Sequence, residues 1–599
     1  MKMKIIKNKS KWYRVGVIIL VTLFFSTTLS VSVNAKSQKN QEQNIIFIMK
    51  PKNETNLKKF VYSSVNQNSN NYHKYLSPQK FATKYGQSKK NTTSFTKYLN
   101  KNKIKSKVYS GNLIVSATGK TKDIEKAFKI KVNKKNNLNQ SLTVPKKYSK
   151  IILDNTGISK SREFSDNLNQ KSVSNGFNSK DDSKKFINNY KLNKLFENNK
   201  YGQEQNIGII SFANFNLNDI NTFWNKENVP SSNKRVKTYK NNFGSNSWNG
   251  YEETTMDIQQ AGAVAPGANI NVYLSDPNTK GMIINLANAI SQNKVDTLSI
   301  SWGKSEKLVA DDIKRGSTPK RYSKIINLLM LQAASQGITI FAASGDSGAY
   351  DSINETGSGD LSVDIPSSSP YLTSTGGTTL PTNFKYKNTT INVPNERAWS
   401  SNYLYKAYNK ENILSRSEWI TKYFAGSGGG FSSYNSTTPK YQNNVSGINT
   451  FNAIKMWDFG GGYINQRMSY KHLNGTGNGR NVPDISAAAD PYTGYNIYYS
   501  NPNSKKGGKW KNSVGGTSIV APQMAAAAAV LNSSHNTRLG FWNPQIYKFA
   551  NSSNSPFKVL DNEVSNTNNY YTGQKGKYYN QATGLGTVDF SKLNNMFKK

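Results

Sequence analysis

Short apolar runs alternate with amphipathic stretches over most of the chain after about residue 200. Apolar runs typical of buried strands occur at 207–212, 270–274, 296–301 and 338–343. Apolar residues have helical spacing at 254–261 and 323–335. Strand and helix in alternation predict a mostly parallel sheet flanked by helices, which is the α/β class. In such folds functional side chains collect at the carboxyl ends of the strands.

The segment before residue 160 has a different pattern. Apolar runs occur around 108–115, and apolar residues have helical spacing at 124–128. This pattern predicts a small α+β domain over 36–160. A polar stretch rich in Ser, Asn, Lys and Asp follows, and we predict an exposed, cleavable linker over 161–185. The α/β domain then occupies 186–599.

The amino terminus has the pattern of a secretory signal. Residues 1–14 are rich in Lys and hold no acid, Val15 to Phe25 is almost purely apolar, and Val-Asn-Ala ends at Ala35. This order predicts a signal peptide over 1–35, cleaved after Ala35, and a secreted, extracellular mature protein. An uncleaved anchor is the alternative, although the apolar run is short beside the roughly 20 residues of a membrane span. We expect no membrane span after signal removal.

Composition excludes some chemistry. The chain has no cysteine, which excludes disulfides, thiol nucleophiles and cysteine-ligated zinc. Its 79 Lys+Arg against 35 Asp+Glu give a formal net charge of +44. The lysines are scattered among Asn and Ser and form no stripe or RNA-reading motif, so nucleic acid is not a predicted partner. A solvated basic surface explains the charge, and attraction to an anionic cell envelope is the functional alternative.

The sharpest local motif is Gly-Gly-Thr-Ser-Ile-Val-Ala-Pro at 515–522. The glycines permit a tight turn, and Ser518 then begins an Ala-rich helix. In that position its hydroxyl can meet a substrate while nearby backbone amides face a developing oxyanion. The alternative is that Ser518 only caps the helix.

A serine nucleophile needs a base to take its proton. The chain offers only three histidines, His73, His472 and His535, and none stands in the His-Gly-Thr setting of a subtilisin. Glu253 and Asp257 offer a replacement, because residues four apart on a helix share a face and can share a proton. Carboxylates at this spacing are also common on solvated faces, but the neighbouring Met256 and Ile258 indicate a buried helix.

Asp346 follows an apolar strand directly and lies between two glycines. An aspartate there can simply form a turn. If it is protonated, it can instead donate a hydrogen bond to an oxyanion.

These motifs stand in a familiar order. Glu-x-x-x-Asp at 253–257, Ser-Gly-Asp at 344–346 and Gly-Thr-Ser at 516–518 together resemble the sedolisin (serine-carboxyl peptidase) family, close to the kumamolisin pattern. Flanking strings such as Ser-Ile-Ser-Trp-Gly at 299–303 match as well, and 36–160 resembles the family's activation propeptide. The resemblance implies a subtilisin-like peptidase domain made as a zymogen, with its own propeptide as intramolecular inhibitor.

The resemblance also assigns roles to single residues. It implies that Ser518 is the nucleophile, that Glu253 and Asp257 complete the triad, and that Asp346 stabilises the oxyanion. Substrate binding falls to the glycine-rich stretch, namely Ser427, Gly428 and Gly429.

Members of the family also bind calcium near the carboxyl end. The corresponding positions here are Asp561, Asn562, Gly576, Tyr578 and Asn580. Asn580 stands where an acid is usual, and the loss of one negative charge lowers the expected calcium affinity. We therefore expect one calcium ion, bound weakly.

The sequence predicts an enzyme that cleaves polypeptide substrates through an acyl-enzyme. We expect it to work at acidic pH, because a glutamate base has an ordinary pKa of about 4.3 and Asp346 must be protonated to donate a hydrogen bond. Two alternatives stay open. One is a histidine-dependent serine hydrolase that uses His472 or His535. The other is an inactive cationic envelope-binding protein on a protease scaffold.

Overall fold

The computed structural model describes residues 2–4, 40–131, 142–158, 163–164, 169–170, 182–240, 247–412, 415–503 and 507–597. The predicted signal peptide falls almost entirely outside these residues, and so does most of the predicted linker. No helix in the described ranges is long and apolar enough to cross a membrane.

The amino-terminal domain is a small α+β unit, as its sequence predicts. Its described strands are β1 (Glu42–Met49), β2 (Lys105–Val108), β3 (Ile114–Lys120) and β4 (Ile152–Asn155). They form an antiparallel sheet in the order β2-β3-β1-β4. The accompanying helices are α1 (Glu54–Ser63), α2 (Pro78–Lys84), α3 (Lys89–Lys101) and α4 (Thr121–Phe128). Alternation sends Phe47 to one face, where it packs on Phe95 and Phe128.

An eight-stranded sheet forms the centre of the described part of the second domain. Its strands are β5 (Asn206–Ser211), β6 (Val236–Lys240), β7 (Asn269–Leu274), β8 (Thr297–Ile300), β9 (Thr339–Ala343), β10 (Thr373–Thr379), β11 (Arg397–Ala398) and β12 (Ile485–Ala488). The order is β11-β10-β9-β8-β5-β7-β6, and β12 also pairs with β10. The described pairs are parallel except for the pairing of β11 with β10.

Helices cover both faces of this sheet, which confirms the predicted α/β class. The main ones are α5 (Leu217–Lys226), α6 (Tyr251–Val264), α7 (Thr279–Gln292), α8 (Tyr322–Ser335) and α9 (Thr517–His535). Side-chain alternation divides the core, since Ile209 of β5 joins the cluster that contains α6 and α9, whereas Ile210 joins the cluster of α7 and α8. The catalytic candidates all lie on or beside the first of these two layers.

The remaining described elements are shorter or lie at the periphery. Further helices span Lys146–Ser149, Asp182–Asn189, Asn193–Phe196, Glu306–Lys314, Ile353–Thr356, Tyr405–Tyr408, Arg416–Phe424, Asn543–Ala550 and Phe590–Phe597. Further strands include the long hairpin Thr450–Gly460 with Tyr463–Thr476, and the pair Tyr495–Tyr499 with Lys509–Gly515.

The amino-terminal domain docks on the outer faces of α7 and α8. Its residues Ile46 and Leu57 belong to the same apolar cluster as Met282 of α7 and Leu329 of α8. Polar contacts border this interface, including one from Lys280 Nζ to the Asn44 carbonyl at 2.9 Å. The two domains therefore share one core layer.

A short segment after α1 also lies on the second domain. Leu76 N–H donates to the Ser335 carbonyl at the end of α8 (2.9 Å). The Tyr75 ring packs against Gly337 and Gly540, where a Cβ would lie within 2.5 Å of ring or hydroxyl atoms. His73, two residues earlier, is close enough to His535 for their charges to interact.

Candidate active site

Ser518 lies in the first turn of α9, as predicted. Gly516 precedes that helix with φ +121°, a backbone conformation that other residues rarely adopt. Thr517 and Ser518 are buried beneath the carboxyl ends of the central strands. The hydroxyl of Ser518 donates to the Ser301 carbonyl oxygen at 3.2 Å.

Ser301 connects three parts of the site. It directly follows β8, and its hydroxyl donates to Asp257 Oδ1 at 2.7 Å. The same hydroxyl oxygen lies 3.1 Å from the Ser518 carbonyl. Asp257 on α6 and Ser518 on α9 are therefore joined through one residue of the sheet. The sequence singled out the string around Ser301 but gave Ser301 itself no role.

Glu253 lies one turn before Asp257 on α6 and is fully buried. Residues three or four apart on a helix share a face, so Glu253, Asp257 and Gln260 point the same way. Gln260 Oε1 accepts from Gln523 Nε2 of α9 at 2.9 Å, which identifies this face as the one that packs on the nucleophile helix. Both acids thus belong to the interface with α9, and the solvated-face interpretation is excluded.

Burial changes the acidity of Asp257. Removal from water raises the pKa of this carboxyl well above its ordinary value, and the hydrogen bond from Ser301 lowers it in part. A raised pKa means that the carboxyl retains its proton at pH values where an exposed aspartate is ionised. The pair of acids on α6 is therefore suited to hold and exchange a proton.

Asp346 lies beside Thr517, the residue that precedes Ser518. It follows β9 in a turn where Gly345 has φ +107°. Its Oδ1 accepts from Thr517 N and from Thr517 Oγ1, each at 2.8 Å. The side chain is almost fully buried, with 6% exposure. The three motifs of the sequence thus meet at one end of the sheet.

Further acids lie behind Asp346. Burial raises the pKa of Asp351 and of Asp364 well above the ordinary value, and nearby carboxylates, Asp346 and Glu355 among them, raise both further. The Asp351 carboxyl fits closely against Gly345, where a Cβ would lie 2.2 Å from Asp351 Oδ1. Asp351 and Asp364 therefore favour their protonated states more strongly than exposed aspartates do.

The stretch 427–429 packs against the Asp346 turn. Gly428 N–H donates to the Gly345 carbonyl, and the Ser344 hydroxyl donates to the Gly428 carbonyl, each at 2.8 Å. A Cβ on Gly428 would lie 1.9 Å from the Ser344 carbonyl oxygen. Ser427 Oγ accepts from Gly377 N at 2.9 Å. In the structure this stretch holds the turn in place, and its contact with substrate stays a prediction.

The histidines lie away from Ser518. His535 is at the far end of α9, about 25 Å from Ser518 by the helical rise, and its Nε2 lies 3.0 Å from Asn594 Oδ1. His472 is exposed on the long hairpin. His73 belongs to the amino-terminal domain. The geometry therefore favours the carboxyl base over a histidine base.

The side chains of two predicted calcium ligands, Asp561 and Asn580, are engaged in other bonds. Asn580 Oδ1 accepts from Ala582 N and from the N and Oγ1 of Thr583, at 3.0–3.1 Å. Its amide nitrogen donates to the Leu560 carbonyl at 2.9 Å. Asp561 Oδ2 accepts from Gly576 N at 3.0 Å. In this arrangement Asn580 does not fit as a calcium ligand, since the ion would have to displace the donors that already occupy its Oδ1.

Two short pieces of the linker region lie near the site. Asn169 and Gln170 pair antiparallel with Gly515 and Val514, directly before the nucleophile turn. Phe164 is buried among residues that follow the central strands. The residues between them lie outside the described part of the chain.

Comparison with known families agrees with this geometry. Residues 31–153 match the family described as Pro-kumamolisin, activation domain, and residues 152–574 match the Subtilase family. The second match alone covers well over half of the chain. Its limits enclose Glu253, Asp257, Asp346 and Ser518.

Several curated relatives are similar to this chain at 25–29% identity. Kumamolisin of Bacillus sp. (strain MN-32) is 29% identical over 338 residues, which cover 56% of this chain and 49% of that protein. Sedolisin of Pseudomonas sp. (strain 101) is 28% identical over 403 residues, 65% and 57% of the two chains. Tripeptidyl-peptidase 1 of Homo sapiens is 25% identical over 362 residues, 57% and 51%. The chain thus spans about half the length of the curated relatives it matches.

A solved structure is similar as well. Pseudomonas sedolisin (serine-carboxyl proteinase), complexed with two molecules of pseudo-iodotyrostatin, superposes with a TM-score of 0.52 at 25% identity. The superposition covers 71% of this chain and 99% of that one. The predicted subtilisin-like architecture is thereby confirmed.

Proposed function

This chain belongs to the subtilase family, in the group of kumamolisin and sedolisin with a pro-kumamolisin activation domain, and from that premise we propose that it is a serine-carboxyl peptidase made as a zymogen. The observation that carries the proposal is the connection from Asp257 through Ser301 to Ser518. It ties a buried carboxyl on α6 to a hydroxyl in the first turn of α9, with no histidine near either group.

In the proposed reaction Glu253 accepts the proton of Ser518 Oγ while that oxygen attacks the carbonyl carbon of a peptide bond. Asp257 holds Glu253 in position and shares its proton. The negative charge that develops on the carbonyl oxygen is stabilised by protonated Asp346 and by backbone N–H groups at the start of α9. Glu253 then gives the proton to the leaving amine, and water hydrolyses the resulting ester on Ser518 by the same route.

An acidic working range follows from this assignment. Asp346 must carry a proton to donate a hydrogen bond, and the raised pKa of Asp257 supports a proton shared between the two acids of α6. Glu253 must be ionised before it can accept the proton of Ser518. Activity therefore requires a pH low enough to protonate Asp346 and high enough to ionise Glu253.

The amino-terminal domain supports the zymogen. It covers α7 and α8, and the chain then returns to the nucleophile turn at Asn169 and Gln170. We propose that the domain inhibits the enzyme in this state and that acid starts self-cleavage within 161–185. Secretion rests on the pattern of residues 1–35, and attraction to an anionic envelope rests on the charge; both stay predictions.

The decisive experiment measures protein digestion against pH for wild type, Glu253→Gln, Ser518→Ala and the double variant His472→Ala/His535→Ala. We expect an acidic optimum, loss of activity in the first two variants, and full activity in the third. Full activity of Glu253→Gln would overturn the carboxyl base. Complete inactivity of the wild type from pH 3 to 5, around the ordinary glutamate pKa, would favour a binding protein.

A further inference from the structure

Phe164 is a buried aromatic residue in a polar stretch of chain. Its side chain is 5% exposed, whereas the adjacent Glu163 is exposed. Its ring stacks on Phe212 with centroids 5.2 Å apart and an angle of 17°. Its backbone N–H donates to the Pro277 carbonyl at 2.7 Å. A linker that served only as a spacer would not need this set of contacts.

The partners that the structure shows for Phe164 belong to the peptidase domain. Phe212 follows β5, Pro277 follows β7, and Trp302 and Lys304 follow β8, so the walls come from three neighbouring strand ends. Trp302 meets the Phe212 ring edge to face at 5.4 Å. Since all of these residues belong to the rigid sheet domain, we expect the pocket to persist after the linker is cut.

Lys304 adds a charge to one wall. Its Nζ lies 4.7 Å from the centre of the Phe164 ring. The ammonium is held by a buried ion pair with Asp312 at 3.3 Å, so it presents a fixed cation to whatever ring enters. A cation over a ring face favours aromatic side chains over aliphatic ones of similar size.

The pocket also has a defined relation to the nucleophile. Trp302 is adjacent to Ser301, whose carbonyl oxygen accepts from Ser518. On the other side, Asn169 pairs with Gly515, three residues before Ser518. Five residue steps from Phe164 to Asn169 reach at most about 18 Å. The linker therefore contacts the peptidase domain on both sides of Ser518, at Phe164 and at Asn169, and only a few linker residues separate these two contacts.

We propose that this pocket is a substrate-recognition site for an aromatic side chain on the amino-terminal side of the cleaved bond, and that Phe164 fills it during self-cleavage. The bond cleaved in maturation then lies between Phe164 and Asn169. After maturation the same pocket receives Phe, Tyr or Trp of polypeptide substrates. This inference rests on the proposed peptidase function.

A first test uses full-length protein with Phe164→Ala, Phe164→Tyr and, as matched control, Phe177→Ala, which removes the other aromatic residue of the linker. We expect maturation at acidic pH to slow at least about tenfold in Phe164→Ala only. Amino-terminal sequencing of mature wild type should begin at one of residues 165–169. Equal maturation rates in the four proteins would overturn the inference, as would a first cut outside that range.

A second test needs no change to the enzyme. Mature wild type is given two synthetic peptides of the sequence 160–175, one with Phe at position 164 and one with Ala. We expect kcat/KM to be at least about tenfold higher for the Phe peptide, with the difference removed in Phe212→Ala. Cleavage of both peptides at equal rates overturns the pocket but leaves the peptidase intact. Failure to cleave any polypeptide overturns the proposed function itself.

Discussion

Ser301 donates its hydroxyl hydrogen to Asp257 Oδ1 over 2.7 Å, and this bond fixes helix α6 against the carboxyl end of β8. Ser301 also accepts a hydrogen bond from Ser518 through its carbonyl oxygen. Only this one residue therefore separates the carboxyl of Asp257 from the first turn of α9. The bond from the Ser301 hydroxyl also stabilises the ionised form of Asp257 against the effect of burial. The hydroxyl of Ser301 thus affects both the position and the pKa of Asp257.

Replacing Ser301 with alanine should impair catalysis without unfolding the domain. The change leaves a buried carboxyl oxygen without its donor, a loss of about 1–3 kcal/mol, and raises the pKa of Asp257 further. We expect kcat to fall by about tenfold to a hundredfold and the pH optimum to shift. Ser299→Ala, which changes a buried serine within β8, is the control. Identical pH profiles for the two variants would show that Ser301 only packs.

The contact between Asp346 and Thr517 predicts different effects for two substitutions at position 346. Asp346→Ala removes the donor to the oxyanion and should lower kcat by about 10²–10³. Asp346→Asn supplies an amide donor at every pH and keeps the acceptor for Thr517. Its activity should therefore decline at higher pH than that of wild type. If the activity of Asp346→Asn declines at the same pH as that of wild type, the protonation of Asp346 does not set the upper pH limit of activity.

Buried acids should make the fold more stable in acid. Asp257, Asp351 and Asp364 have pKa values that burial raises in the folded state. Their contribution is complete below the ordinary pKa of about 3.9 and is lost as pH rises through the folded values. We expect the Tm of the Ser518→Ala protein, which cannot digest itself, to fall from pH 4 to pH 7. Asp351→Asn should flatten that slope, and a Tm that rises over this range would contradict the prediction.

Acid should also weaken the docking of the propeptide. Burial lowers the pKa of His73, and the charge of His535 lowers it further. A depressed histidine pKa means that the docked state is stable above the ordinary value of about 6.5 and loses stability as pH falls through the docked value.

We therefore expect His73→Gln to mature at a lower pH than wild type, measured by the pH at which half of the zymogen is cut in a fixed time. His472→Gln, on the exposed hairpin, is the matched control. An unchanged midpoint in His73→Gln would exclude this histidine as the trigger.

Calcium binding should respond to position 580. The amide oxygen of Asn580 accepts hydrogen bonds from several neighbouring donors, and its amide nitrogen donates one to the Leu560 carbonyl. An acid would lose the bond to Leu560 and regain the negative charge that calcium prefers. Added calcium should therefore raise the Tm of Asn580→Asp more than that of wild type, and a chelator should reverse the difference. Equal responses would place any calcium effect elsewhere in the protein.

Much of the fold and site was accessible from local patterns. The strands β5, β7, β8 and β9 were predicted to within one residue at each end, because buried parallel strands are short apolar runs bounded by polar residues. Helix α9 begins at the predicted turn and ends at His535, where Asn536 adopts φ +51°. Glu253 and Asp257 were predictable because helical spacing puts them on one face.

The features that were not predicted depend on contacts distant in sequence. The hydrogen-bond partners of Ser301, Asp257 and Ser518, are 44 and 217 residues away in the sequence. No local motif could have predicted these contacts. Phe164 is a single aromatic residue in a polar stretch, so no apolar periodicity in the sequence indicates that it is buried. The orientation of the Asn580 amide is set by Thr583 and Leu560 together, so only the folded loop reveals it.

The buried acids also bear on where the enzyme can operate. Under the proposed mechanism, a molecule that moves from an acidic medium into neutral surroundings would lose the proton that Asp346 needs and, at the same time, the stability that Asp351 and Asp364 contribute through their raised pKa values. Its lifetime is then short wherever its activity is low. The proposed peptidase activity would then be limited to acidic surroundings by the pH dependence of both its catalysis and its stability.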